Sequence, residues 1–165
     1  MRVFISLQGG RSNFQNDDGS FNLELWKQQE DRFRSVNLAP YIADGTILGN
    51  VLGDEFHDGS NWNGQPVPYS DIEAAAAYSK SIWPGMATGA GTNPIFLSGA
   101  SFVWQALDFT ITPYTVNRGE VNSFLNSQAN AAVAEGLTYY SSINVINGGD
   151  GGGNVNATQL KEWGE

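Results

Sequence analysis

Apolar and polar positions alternate along the chain in blocks that change period. Val3-Phe4-Ile5-Ser6-Leu7 is an apolar run closed by Gln8-Gly9-Gly10, the pattern of a buried strand ended by glycine. From about Asn22 to Asn37 the period lengthens: Leu23, Trp26, Phe33 and Val36 recur at helical spacing, and Lys27, Glu30, Asp31 and Arg34 take the other faces. Thr46 to Gly53 (TILGNVLG) predicts a second strand. Ser70-Asp71-Ile72-Glu73 has the form of a capping box and opens a helix through Ala74–Ala77 that Pro84 stops. Small residues from Met86 to Ala90 form a weak strand pattern, and FVWQALDFTIT from Phe102 to Thr112 a strong one. Asn117 with Glu120 predicts a helix start, Val121, Phe124, Leu125, Ala131 and Ala132 an inward face, and Gly136 its end. LTYYSSINVI, Leu137 to Ile146, is the last strand; the glycine-rich loop NGGDGGGN and a helix from Ala157 to Trp163 follow.

Strands alternating with helices imply right-handed crossovers and a parallel sheet with helices outside it. A doubly wound sheet and a (β/α) barrel both satisfy that order. Polar residues close nearly every predicted strand: Gln8 the first, Asp54 and Glu55 the second, Asn144 and Asn147 the last, and Asp108 falls within the fourth. Barrels gather side chains from many strand ends into one bowl, whereas an open sheet uses its switch-point crevice, often with a glycine fingerprint. No G-x-G-x-x-G follows the first strand and no phosphate-loop lysine follows any glycine run, which favours the barrel. The expected fold class is therefore α/β: a partial or truncated (β/α) TIM-type barrel with about five parallel strands and outer helices. A whole barrel has about eight strands in roughly 250 residues. Residues 1–165 then form a single (β/α) barrel-like domain, incomplete without self-association, and a homodimer pairing exposed sheet edges is expected.

Composition narrows the partners. The formal net charge of −9 argues against a nucleic-acid backbone, and 15% charged residues is too few for a disordered acidic tail. No cysteine means no disulfide framework and no thiolate metal site. No apolar run reaches membrane-spanning length, so no membrane partner is expected, and the first residues are too short an apolar run for a signal peptide. The compartment stays unknown; a secreted or periplasmic form would have had its signal removed.

The segments VFISLQGG, LWKQQEDRFRSVNLAPYIADGTILG and GDEFHDGSNWNGQPVP resemble an uncharacterised bacterial family of glycoside-hydrolase-like TIM-barrel proteins, in which a strand ending in "-DEP" or similar precedes an Asn-Trp loop. LDFTITPYTVNRGEVNSFL and INVINGGDGG are similar to the matching later strands and loops. The resemblance covers nearly the whole chain and implies a carbohydrate ligand and, where active, a glycosidase-like hydrolase; the alternative is a non-catalytic sugar-binding or self-assembling partial barrel, and no cofactor is expected.

Acid residues at a barrel mouth suit that chemistry, because apolar walls raise a carboxyl's pKa toward general-acid work. Neighbours on a strand face opposite ways, so one of Asp54 and Glu55 points at substrate. Glu55 is expected to be the proton donor and Asp54 to orient groups around it, against the plainer reading of a solvated loop start. Asp108 interrupts an apolar strand and needs a partner: a bound ligand, Tyr114, or an arginine, the plainer reading being a buried salt bridge to Arg2 or Arg118. Glycosidases use two carboxyls about 5 Å apart for retention or about 6.5–9.5 Å for inversion, and Glu55 with Asp108 is the expected catalytic pair. Trp62, Trp104, Tyr114 and Tyr140 offer ring faces for sugars, with Trp104 the more natural core residue and Trp62, in a polar loop, the better binder. Gln8, Asn50, Gln105, Asn144 and Asn147 offer hydrogen bonds to hydroxyls. No metal is expected: the lone His57 reads as a surface histidine in an acidic loop, and no G-x-S-x-G elbow supports a triad. The loop NGGDGGGN reads as a flexible barrel loop, since it lacks a phosphate-loop lysine and a calcium-binding repeat.

Overall fold

The computed structural model describes residues 1–164. In it the five expected strands, β1 (Val3–Ile5), β2 (Ile47–Asp54), β3 (Thr88–Gly91), β4 (Phe109–Tyr114) and β5 (Thr138–Ile143), form one parallel sheet in the order β1-β2-β3-β4-β5. A strand order that never reverses has no switch point, so the sheet is singly wound and curls as an incomplete barrel. The three long helices, α1 (Leu23–Asp31), α3 (Tyr69–Ile82) and α5 (Val121–Ala134), line its outside. Two one-turn helices, α2 (Ala39–Ala43) and α4 (Pro94–Leu97), and the terminal α6 (Ala157–Gly164) complete the chain.

The outer face holds the main core. Trp26, Leu52, Ile72, Ala75, Ala76 and Ala132 are each 0% exposed. Removing a large apolar side chain from water contributes about 2–3 kcal/mol, so this interface supplies much of the stability. One charge-capable group lies inside it. Glu30, on α1, was expected on an outward face; it is fully buried, accepting hydrogen bonds from Asn50 Nδ2 at 3.0 Å and Ser79 Oγ at 3.2 Å. Among the described residues no cation pairs with it, and burial pushes its carboxyl up to about 7.

The inner face is filled differently. Phe109 projects inward and lies across β2 and β3, where Gly49 and Gly89 leave it room: a Cβ at Gly49 would come 2.6 Å from its ring. Phe4 packs on Phe109 at 4.9 Å and Tyr140 closes the group at 4.8 Å from Phe4. These three rings plug the lower half of the concavity.

Two elements depart from the sequence expectation. Residues 102–108 are loop and only Phe109–Tyr114 is strand. The Glu73 carboxylate on α3, expected in a capping box, instead accepts the backbone N–H groups of Gln105, Ala106 and Leu107 at 2.8, 2.7 and 3.3 Å. A segment whose amides are satisfied by a side chain has no need of a sheet partner. The first helix ends at Asp31, and Val36, expected on its apolar face, is exposed.

Candidate functional site

Strand β2 creates the site through an irregularity. Val51 stands opposite Gly89 and Asp54 opposite Gly91, so three steps of β2 are matched to two of β3. Alternation from Asn50 and Leu52, which face the helices, would send Asp54 outward too; the bulge reverses its side. Asp54 therefore lies over Gly91, where a Cβ would come 2.6 Å from its Oδ1. Side chains from neighbouring elements satisfy the carbonyls beside the bulge: Trp26 Nε1 donates to the Leu52 oxygen at 2.6 Å and Gln8 Nε2 to the Val51 oxygen.

After the bulge the chain turns sharply. Glu55 adopts φ 54°, a left-handed conformation that costs a non-glycine residue roughly 1 kcal/mol or more. Its surroundings hold it there: its N–H donates to the Gly91 carbonyl at 2.6 Å and its own carbonyl accepts from Trp62 Nε1 at 3.0 Å. The Glu55 carboxylate pairs with Arg11 at 2.9 Å and accepts from Asn61 Nδ2 at 2.9 Å. The Arg11 guanidinium in turn lies 5.3 Å over the Trp62 ring.

The acid of the pair that faces the concavity is thus Asp54, and Glu55, the expected proton donor, ties the loop to Arg11. Desolvation, with the Glu55 charge second, raises the Asp54 pKa, while the Glu55 N–H and the charges of Arg11 and His57 oppose it. His57 beside it bonds Thr92 Oγ1 through Nδ1 at 2.8 Å. Partial burial lowers its pKa, with the Arg118 charge acting the same way against Asp58, Glu55 and Asp54, so it is neutral at pH 7. Arg118 lines the same small recess as Asp54, Glu55, His57 and Thr92. This recess shares Asp54, Gly91, Ile111 and Pro113 with a trough of about 550 Å³ that runs up the inner face from Phe4 past Val51 to Arg11. Such a volume is within the range of small-molecule pockets. It opens at the C-terminal strand ends, the side where barrels place their ligands.

The expected catalytic pair is not brought together. Asp108 precedes β4, at the N-terminal end of the sheet, where its Oδ1 meets Lys80 Nζ at 2.7 Å and its Oδ2 accepts the Thr88 N–H at 2.8 Å. Its cation is Lys80, neither Arg2 nor Arg118. Thr88 pairs with Asn50 and Gly91 with Asp54, so Glu55 and Asp108 lie roughly 15 Å apart along the strands, beyond either glycosidase spacing.

Most of the expected sugar contacts are structural. Trp62 is 1% exposed, stacked on Phe14 at 6.0 Å, because an aromatic cluster with Phe21 and Phe56 encloses its loop. Trp104 is buried against Tyr69 and Phe102. Gln8 and Asn50 are fully buried, one bracing the bulge and the other bonding Glu30 and Ser79 on the helix side. Tyr114 is buried, its hydroxyl donating to the Gly119 carbonyl at 2.6 Å. Gln105 lies in the loop held by Glu73. Asn144 and Asn147 are exposed beyond β5, Asn144 accepting the Ile146 N–H. Tyr140 is part of the ring plug at the base of the trough. Arg11, Thr92 and Arg118 are the mouth residues that the sequence did not single out for the site: Thr92 follows β3 directly, and Arg11 and Arg118 stand in the loops after β1 and β4, the segments from which barrels build their sites. Among the described residues no cluster of His, Asp or Glu could hold a metal ion, and no helix is long and apolar enough to cross a membrane.

No protein-family description matches the sequence, and no curated protein matches it. Among solved structures, the chain is similar to a glycoside hydrolase family 5 mannosidase from Rhizomucor miehei, at 16% identity and a TM-score of 0.47, over 70% of this chain and 32% of that one.

Proposed function

We propose that this chain is a carbohydrate-binding partial barrel of glycoside-hydrolase type, which takes a sugar in the mouth between Arg11, Asp54, His57 and Arg118 and does not hydrolyse it by itself. The observation that carries this reading is the bulge in β2, which turns Asp54 toward an open trough where barrels hold ligands. Asp54 accepts one hydrogen bond, from the Glu55 N–H, which leaves acceptor capacity for ligand hydroxyls. Two guanidinium groups and a neutral imidazole supply donors around it. Hydrolysis needs a second carboxyl on the far side of the scissile bond. Glu55 is adjacent to Asp54 and held by Arg11, and Asp108 sits at the other end of the sheet. The test is isothermal titration against a panel of neutral oligosaccharides, with release of aryl aglycones measured in parallel. Binding without turnover, weakened at least about tenfold in Asp54→Asn, is the expected result; turnover of any substrate, or sugar binding unchanged in Asp54→Asn, overturns the reading.

A second reading is self-assembly. Strands β1 and β5 each pair on one side only, and unpaired edges template further strands. Light scattering across a concentration series is expected to give a dimer, and a monomer at every concentration removes it.

A further inference from the structure

A neutral imidazole carries one proton, on Nδ1 or on Nε2, and only the nitrogen that carries it can donate a hydrogen bond. Around His57 the two forms are not equivalent. Nδ1 lies 2.8 Å from Thr92 Oγ1, and the same oxygen accepts the His57 backbone N–H at 3.2 Å. Thr92 is 1% exposed, and among the described residues its hydroxyl has no other partner. With the ring proton on Nδ1, Oγ1 would accept twice and its own hydrogen would be buried without an acceptor. With the proton on Nε2, the hydroxyl donates to Nδ1 while accepting the backbone N–H, and every group is matched. An unmet buried donor biases the two forms by roughly fivefold to a hundredfold toward the second.

Thr92 is itself held in place. It follows β3 directly, and its carbonyl accepts the hydroxyls of Thr110 and Thr112 on β4 at 2.5 and 2.9 Å. The His57 ring also packs near Phe96, with centroids 6.3 Å apart. Its other nitrogen is free: Nε2 makes no hydrogen bond among the described residues and keeps some exposure. The ring lines the recess with Asp54, and the charges of the two residues act on one another.

We propose that Thr92 is a positioning residue, which holds His57 in its Nε2–H form and makes the imidazole a fixed donor to a ligand oxygen beside Asp54. This rests on the mouth being a sugar site. An ionised Asp54 can only accept and Nε2–H can only donate. Together they suit a hydroxyl, or two neighbouring hydroxyls, which both give and take a hydrogen bond.

His57 is the only histidine, so its ring gives a single set of signals in a long-range proton–nitrogen spectrum of the untagged protein. At about pH 8, where the ring is neutral, the wild type is expected to show Nε2 protonated and Nδ1 bare in nearly all molecules. Thr92→Val keeps the shape without the hydroxyl and is expected to move both nitrogen signals toward the mixture of forms that free histidine shows; Thr92→Ser is expected to restore them. The sugar probe is the tightest binder among cellotriose, mannotriose and maltotriose. Thr92→Val is expected to bind it about fivefold more weakly by titration, with Thr92→Ser recovering most of the loss. A wild-type ring protonated on Nδ1 overturns the inference, and so does a Thr92→Val protein with an unchanged ring or an unchanged sugar affinity; each of these leaves the sugar site standing. Failure of the wild type to bind all three sugars removes the donor role and the sugar site together.

Discussion

Acids stand at both ends of the sheet, and their surroundings give them opposite uses. At the N-terminal end Asp108 is saturated: Lys80 takes one oxygen, and the Thr88 N–H with its hydroxyl takes the other. At the C-terminal end Asp54 accepts a single N–H from the next residue and borders an open trough. An acid at a strand end is thus a candidate for chemistry only where its own fold has left it unspent. The same contrast separates Asp54 from its neighbour, since the Glu55 carboxylate is already committed to Arg11 and Asn61.

The largest test of that contrast uses the acid between the two ends. Glu30 keeps its proton in the fold at pH values where the unfolded chain, with an ordinary carboxyl near 4.5, has lost it. Stability therefore falls as pH rises from 4.5 to about 7 and carries the full penalty above that range. Glu30→Gln is expected to stabilise the protein by about 3 kcal/mol at pH 8 and by little at pH 4, read from urea midpoints. It also offers a donor near Asn50 Oδ1, which has none. No difference between the two pH values would remove the claim that Glu30 is buried without a cation.

Next in size is Asp108→Ala, which strands Lys80 and the Thr88 N–H. It is expected to cost about 2 kcal/mol, lowering Tm by roughly 4–8 °C, and to leave sugar binding unchanged. Loss of binding with full stability would reverse the assignment of the two ends. Arg11→Ala removes a partly exposed pair and is expected to cost less than about 1 kcal/mol. The smallest stability effect belongs to Asp54→Asn, within about 0.5 kcal/mol, although its effect on sugar binding is the largest.

The sequence carried the architecture further than the site. TILGNVLG places a strand because buried parallel strands are continuously apolar, whereas LTYYSSINVI, the segment of the mostly exposed edge strand β5, is marked by its aromatic and β-branched residues. A non-reversing order was legible only as one of two options, until the pairing settled it. The extended reading of 102–108 failed because an apolar run says nothing about which group will satisfy its amides, and Glu73 does so from a helix. Within the site, strict alternation correctly allowed only one of Asp54 and Glu55 to face inward. It could not choose between them, because a bulge leaves no period in the sequence. Trp62 was misread for a related reason: its loop is polar in composition, but Phe14, Phe21 and Phe56 arrive from distant positions to enclose it.

The bulge also bears on how such a mouth is inherited. Gly53 sits where a Cβ would come 2.6 Å from the Phe56 ring, so the extra residue is accommodated only as glycine or by moving that ring. Deleting Gly53 would restore two-against-two pairing and still set Asp54 opposite Gly91, on the side of Val51, so the side the acid takes is fixed by its register with β3 and not by the residue count of β2. In this fold a ligand-facing carboxylate can thus survive one insertion or deletion in β2, a kind of change that comparisons of aligned substitutions do not record.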